Sequence, residues 1–163
     1  VSFVQGGPQL PASITVDSLG SWTDFVGDEY KAFSGTAVYT TTINKVPVAD
    51  VIKLDLGSVA ENASVYLNGD YIGTVIDSPY QLYIPAEKFK GQDELVVRVA
   101  NSMANRIAYM DKKGVDWKIF YNVNMSARKK ENVKNGIFDA SDWEPKSSGL
   151  LGPVTLTPAM VKQ

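Results

Sequence analysis

The 163 residues carry a formal charge of −2 and include neither cysteine nor histidine. Those absences exclude a disulfide framework, a thiolate metal site, a cysteine nucleophile and most hydrolase triads, whose general base is histidine. The one basic cluster, Arg128, Lys129 and Lys130, is followed at once by Glu131, so there is no phosphate-tracking stripe and nucleic acid is not an expected partner.

The length suits a single domain, residues 1–163, able to bury roughly 70% of the surface that its unfolded chain exposes. No apolar run reaches the length of a membrane span. The sequence begins at Val1 with neither an initiator methionine nor a signal sequence, and it is expected to be a piece of a longer polypeptide.

Along the chain, Trp22 stands between Gly20 and Phe25 near an early strand, where core or rim packing is the expected role. Thr36–Ile43 is rich in β-branched and aromatic residues and reads as a strand. Ile52, Leu54 and Leu56 alternate with Lys53 and Asp55, the pattern of a strand with one buried and one wet face. Between Ala63 and Val75 the sequence ASVYLNGDYIGTV holds Asn68-Gly69, the signature of a type I′ hairpin. Tyr80, Leu82 and Ile84 keep period two. Pro85 and Gly91 then bracket a single helical turn, Ala86–Lys90, with Phe89 placed to plug one end of a sandwich. Leu95, Val97 and Val99 alternate with polar neighbours, and Val154–Thr157, lying between two prolines, reads as an edge strand because proline cannot donate to a ladder.

Strands at this spacing, with turns between them and no alternating strand–helix pattern, predict an all-β sandwich or jelly roll. Interrupting it are the 53 residues from Asn101 to Pro153, which show no clear alternation and exceed ordinary connection lengths. Their aromatics, Tyr109, Trp117, Phe120, Tyr121, Phe138 and Trp143, disfavour disorder. The segment is expected to fold onto the sandwich as a long loop with a short helix before the last strand. Trp117, Phe120 and Tyr121 sit at helical spacing, with Asp116 placed to cap.

WTDF at Trp22–Phe25, FSGTAVYTTTI at Phe33–Ile43, LDLGSVAENASVYLNGDYIGTV at Leu54–Val75, SPY at Ser78–Tyr80 and SGLLGPVTL at Ser148–Leu156 together resemble the galactose-binding-like jelly roll known as the sugar-binding domain of glycoside hydrolase family 2. The jelly rolls of rhamnosidase-like hydrolases of Bacteroidetes are more similar still, with counterparts to GGPQLP at Gly6–Pro11 and NSMANRI at Asn101–Ile107. The resemblance covers nearly the whole chain. It implies a non-catalytic accessory domain of a hydrolase that degrades plant-type glycans outside the cytoplasm, in the periplasm, at the cell surface or secreted. Such sandwiches serve as sugar binders, as spacers and as walls of a neighbour's active site, so fold alone does not choose among these roles.

A sugar offers an apolar C–H face to an aromatic ring and paired hydroxyls to amide, carboxylate or guanidinium groups. Asn101, Asn105, Arg106, Asp111 and Asp116 supply such groups near Tyr109 and Trp117. Asn105 and Arg106 also fall within the segment that matches the hydrolase jelly rolls. Asp77, Ser78, Pro79 and Tyr80 form a second candidate surface, an ordinary turn in its simplest reading, that could face the same end. Trp117 and Trp143 suit packing and sugar stacking equally, whereas Phe120 and Phe138 suit packing. Two carboxylates at a set separation would be needed for glycosidic cleavage. Asp28 with Glu29, and Asp139 with Asp142 or Glu144, are adjacent acids of the kind usually solvated, and Asp139 is better placed to cap the turn DASDW. No catalytic residue is assigned. Only hard oxygen ligands are present, so calcium is the ion this chemistry would accept and zinc is not, although no Asp-rich loop with regular ligand spacing occurs. The expected partners are carbohydrate and the parent's catalytic domain. The alternative is a structural buttress that packs on that domain and lends loop residues to its active site.

Overall fold

A computed structural model describes residues 1–119 and 129–159. Its strands are β1 (Ser2–Gly7), β2 (Ser34–Ile43), β3 (Val51–Asp55), β4 (Ser58–Ala60), β5 (Asn62–Leu67), β6 (Asp70–Val75), β7 (Gln81–Pro85), β8 (Asp93–Ala100), β9 (Val133–Lys134), β10 (Ile137–Phe138), β11 (Gly149–Gly152) and β12 (Thr155–Ala159). Among the described residues two α-helices join them, α1 (Asp28–Ala32) and α2 (Ala104–Lys112).

A five-stranded sheet runs β1-β2-β8-β5-β6, and a three-stranded sheet runs β12-β3-β7, with β11-β4 and β10-β9 as two-stranded ribbons. Every ladder between these strands is antiparallel. The protein is therefore an all-β sandwich, and β12 is an edge strand, as expected from its prolines, with Pro153 before it and Pro158 within it. Central strand β8 shows why the sheets pack. Leu95, Val97 and Val99 are buried, and so are Ile52 and Leu54 of β3 and Ile84 of β7, while Lys53 and Asp55 turn outward to a less buried environment. Each such aliphatic side chain removed from water contributes about 1.5–3 kcal/mol. The β5–β6 hairpin closes through Asn68 and Gly69 at φ 52° and 85°, as a type I′ turn requires.

After β7 a 3₁₀ turn, Ala86–Lys88, carries Phe89 against the core. Beside it Asp93 is buried, accepting from the Asn68 side chain (2.7 Å) and from the Lys90 and Gly91 N–H groups (2.7 and 3.0 Å). Burial pushes this carboxyl up, but these bonds and the Lys90 charge outweigh it and hold the group below its usual range. Phe3, Trp22 and Phe33 pack edge-to-face elsewhere in the core, with ring centroids 5.0–5.6 Å apart. Trp22 is fully buried, a core residue as expected.

Strand β1 and helix α1 have no clear signature in the apolar pattern. In β1 only Phe3 and Gly7 are buried, and a register shift between Phe3 and Gln5 breaks the alternation. A further difference concerns the helix expected around Trp117. Trp117 lies outside any helix, Phe120 and Tyr121 lie outside the described residues, and the helix of this segment is α2, one turn after β8.

Candidate functional site

Within residues 101–119 and 129–153, Asn101, Asn105 and Ser148 tie the segment to the end of the sandwich where β2 begins and β8 ends. Asn101 follows β8 directly. Its Oδ1 accepts from the Gly35 N–H (2.8 Å), and its amide donates to the Phe33 carbonyl and the Ser148 hydroxyl (both 3.0 Å). Asn105, buried on α2, treats residue 146 as a strand partner would. It donates to the Lys146 carbonyl and accepts from the Lys146 N–H, each at 2.8 Å. Ser21 completes the joint by accepting from the Ser148 N–H at 2.9 Å. Both asparagine side chains are thus engaged in holding the returning chain.

Gly149 shows how close that approach is. At φ 107°, a Cβ there would collide with the Tyr39 hydroxyl and lie 2.9 Å from Trp22 Cε3. The Tyr39 hydroxyl accepts from the Leu150 N–H at 3.1 Å, and burial raises its pKa. Arg106 packs its guanidinium against Gly7, so closely that a β-carbon on Gly7 would overlap it, and its Nε is buried without a hydrogen-bond partner among the described residues.

Asp111, its side chain only 1% exposed, gathers the next stretch. It accepts from the Trp117 indole N–H (2.7 Å), pairs with Lys118 (2.7 Å) and accepts from the Ala140 N–H (2.8 Å). Phe138 lies between the Trp117 and Trp143 rings, edge-on to each, at 6.5 and 5.8 Å. Asp139 caps the following turn, accepting from the Ser141 N–H at 3.0 Å. The Ser141 hydroxyl and N–H, with Lys134, hold its carboxyl below the usual range against the opposing effect of burial.

These supports frame a cleft of about 690 Å³ between α1, α2 and residues 141–145. Tyr109 and Lys112 of α2, Lys113 just past its end and Lys31 of α1 face Asp142, Trp143 and Glu144 across it, with Asn105 also lining it. The Trp143 ring is fixed by its indole N–H, which donates to Asn132 Oδ1 at 2.9 Å, and by the Phe138 contact. Over Tyr109 the Lys113 ammonium sits 5.6 Å from the ring centroid, and Trp143 is half-buried.

The structure thus brings Asn105 and Tyr109 of the expected site residues to this cleft. Asn101, Arg106, Asp111 and Trp117 lie in the supports behind or beside it, and Asp116 is exposed on the surface. Asp77 is exposed and accepts from the Ser78 N–H at 2.7 Å in its turn. The Tyr80 hydroxyl donates to the Glu61 carbonyl (3.3 Å), and the Glu61 N–H bonds Ala100 (3.3 Å), so Tyr80 does lie at the sandwich end where Asn101 begins. Trp143, which stands between Asp142 and Glu144 in the sequence, lines the cleft although it is not among the expected site residues. Among the described residues no group of three or more carboxylates is arranged to hold a metal ion, and no helix is long and apolar enough to cross a membrane.

No protein-family profile matches the chain. Over 90% of its length it superposes on a rhamnosidase from Novosphingobium sp. PP1Y, with TM-score 0.72 and 30% identity. The chain resembles a domain carried within glycoside hydrolases. A curated protein of Formosa agariphila, named "Putative beta-glucuronidase", is 34% identical over 158 residues, 88% of the chain. A family 2 β-galacturonidase from Eisenbergiella tayi aligns over 62% of the chain at 20% identity and TM-score 0.49. This domain spans 14% of the curated relative and 13% of the rhamnosidase.

Proposed function

We propose that the chain is a non-catalytic carbohydrate-binding accessory domain of an extracytoplasmic glycoside hydrolase, and that its sugar site is the cleft between α1, α2 and residues 141–145. The observation that carries this reading is the Trp143 ring, held by its indole nitrogen and by Phe138, in a cleft where lysines of one wall face carboxylates of the other. An aromatic face receives the C–H side of a pyranose, and charged groups on either side bond its hydroxyls in pairs. Tethering such a site to an enzyme raises the local substrate concentration without new catalytic contacts. The carboxylates suit this role better than catalysis. A general acid of a glycosidase needs a raised pKa, yet Asp139 is held low, and Asp142 pairs with Lys134 at 3.2 Å.

The test is a glycan-array screen of the chain followed by calorimetric titration with galactose, rhamnose and pectic oligosaccharides, with and without calcium. Saturable binding that is lost in Trp143→Ala while folding persists is the expected result. Affinity unchanged in Trp143→Ala and Tyr109→Ala would remove the cleft as the site.

One observation favours the buttress reading. The outer face of the five-stranded sheet carries a shallow apolar groove of about 400 Å³ lined by Val4, Val38, Tyr66 and Val96, with Arg98 at its edge. An exposed apolar surface with a polar rim is what a docked neighbour would cover. It lies on the sheet rather than on the long loop, so it is compatible with a sugar site in the cleft.

A further inference from the structure

A second, smaller hollow of about 380 Å³ adjoins the cleft, lined by Glu131, Asn132, Asp142, Trp143, Glu144 and Lys146. Asp142, Trp143 and Glu144 line both hollows, so the loop that carries the stacking ring is a ridge between two basins rather than the wall of one. The basins differ in charge. The larger sets Lys31, Lys112 and Lys113 against Asp28, Asp142 and Glu144. Among the described residues the smaller is lined by Glu131, Asp142, Glu144 and Lys146, and with Asp142 also paired to Lys134 at 3.2 Å carboxylates remain in excess, which disfavours an anionic ligand group there.

Given the carbohydrate-binding reading, on which this inference rests, we propose that the site takes an oligosaccharide laid across the Trp143 ridge, with at least one sugar in each basin, and that the sugar in the smaller basin is neutral. Either basin falls in the size range of small-molecule sites, and a single sugar would leave one of them filled with water. The ridge is suited to the task because Trp143 is held from the side of the smaller basin by Asn132 and from beneath by Phe138, so its orientation is set before a ligand arrives and little ordering cost is added on binding.

The experiment is a length series. Galactose and neutral β-1,4-galactan oligomers of two to four sugars, together with rhamnogalacturonan oligosaccharides, are titrated into the chain by calorimetry, and the backbone amides are followed by NMR. Affinity should rise by about tenfold or more from the monosaccharide to the di- or trisaccharide, and the longer ligand should shift amides in both 109–113 and 131–132. Equal affinity at every length, or shifts confined to one basin, would overturn the two-basin proposal while leaving the sugar-binding reading intact. Tighter binding of oligogalacturonates, added to the series because every one of their sugars is anionic, through shifts at 131–132 would overturn the neutral-sugar assignment. Silence from every member of the series, or shifts outside both basins, would overturn both the inference and the reading beneath it.

Discussion

The sandwich and the segment from Asn101 to Pro153 are built on different physics. In the sandwich, alternating aliphatic side chains from both sheets vanish into one core, and antiparallel ladders satisfy the backbone. In the segment after β8, side chains stand in for the ladder. Asn105 pairs with the backbone of Lys146, Asp111 collects an indole, an ammonium and a backbone N–H, and Asp139 caps a turn. The lesson is one of cooperativity. Apolar burial is non-directional and shared among many residues, whereas each polar clamp depends on a few atoms and leaves unpaired groups behind when it is lost.

The largest effect should come from the sandwich. Leu54→Ala removes a fully buried side chain and should cost about 2–5 kcal/mol, and urea denaturation followed by circular dichroism should show both regions unfolding together. Next is the carboxylate hub. Asp111→Ala strands the Ala140 N–H and frees Lys118, at a cost of about 2–3 kcal/mol, and it should loosen the segment alone. Hydrogen exchange would then quicken at Ala140 while the β8 amides stay protected. Equal quickening in β8 would show that the regions form one cooperative unit. The smallest effect is the response to pH, which touches both regions. Asp93 in the sandwich and Asp139 in the segment both have lowered pKa values in the fold. Their contribution is complete above the unfolded carboxylate value of about 3.9 and drains away as pH falls through the lower folded values. Tyr39 has the opposite sign, its raised pKa making a contribution that is complete below about 10 and lost above the folded value. Asp93→Asn should flatten part of the acid limb of a stability–pH curve measured by thermal melting, and Tyr39→Phe part of the alkaline limb.

Much of the sandwich was legible because period two is a strong signal wherever one face is buried. Leu54, Val97 and Val99 announce their strands, and Asn68-Gly69 announces its turn. Strand β1 was not legible, since its inward positions are occupied by Phe3 and Gly7 with a bulge between them. In the long segment, composition indicated that it folds and which residue types it would use, but not which of them face solvent. Asn101, Asp111 and Trp117 carry the chemistry that a sugar site needs, and the same donors and acceptors serve equally well to tie two chain segments together. Nothing in local spacing separates those uses, because the partners Ser148, Ala140 and Phe138 lie 21–47 residues away along the chain. Helix α2 was missed, although Lys112 and Lys113 near its C-terminus and Gly114 just beyond it form a helix-stop signal.

The three tryptophans divide between these regions, and that division makes the protein its own optical gauge. Trp22 is fully buried, whereas Trp117 and Trp143 are only partly covered. A water-soluble quencher such as acrylamide will reach the two indoles of the segment and spare the one in the sandwich. The shielded fraction of emission then reports on the core and the quenchable fraction on the clefts, in one cuvette and with no label attached.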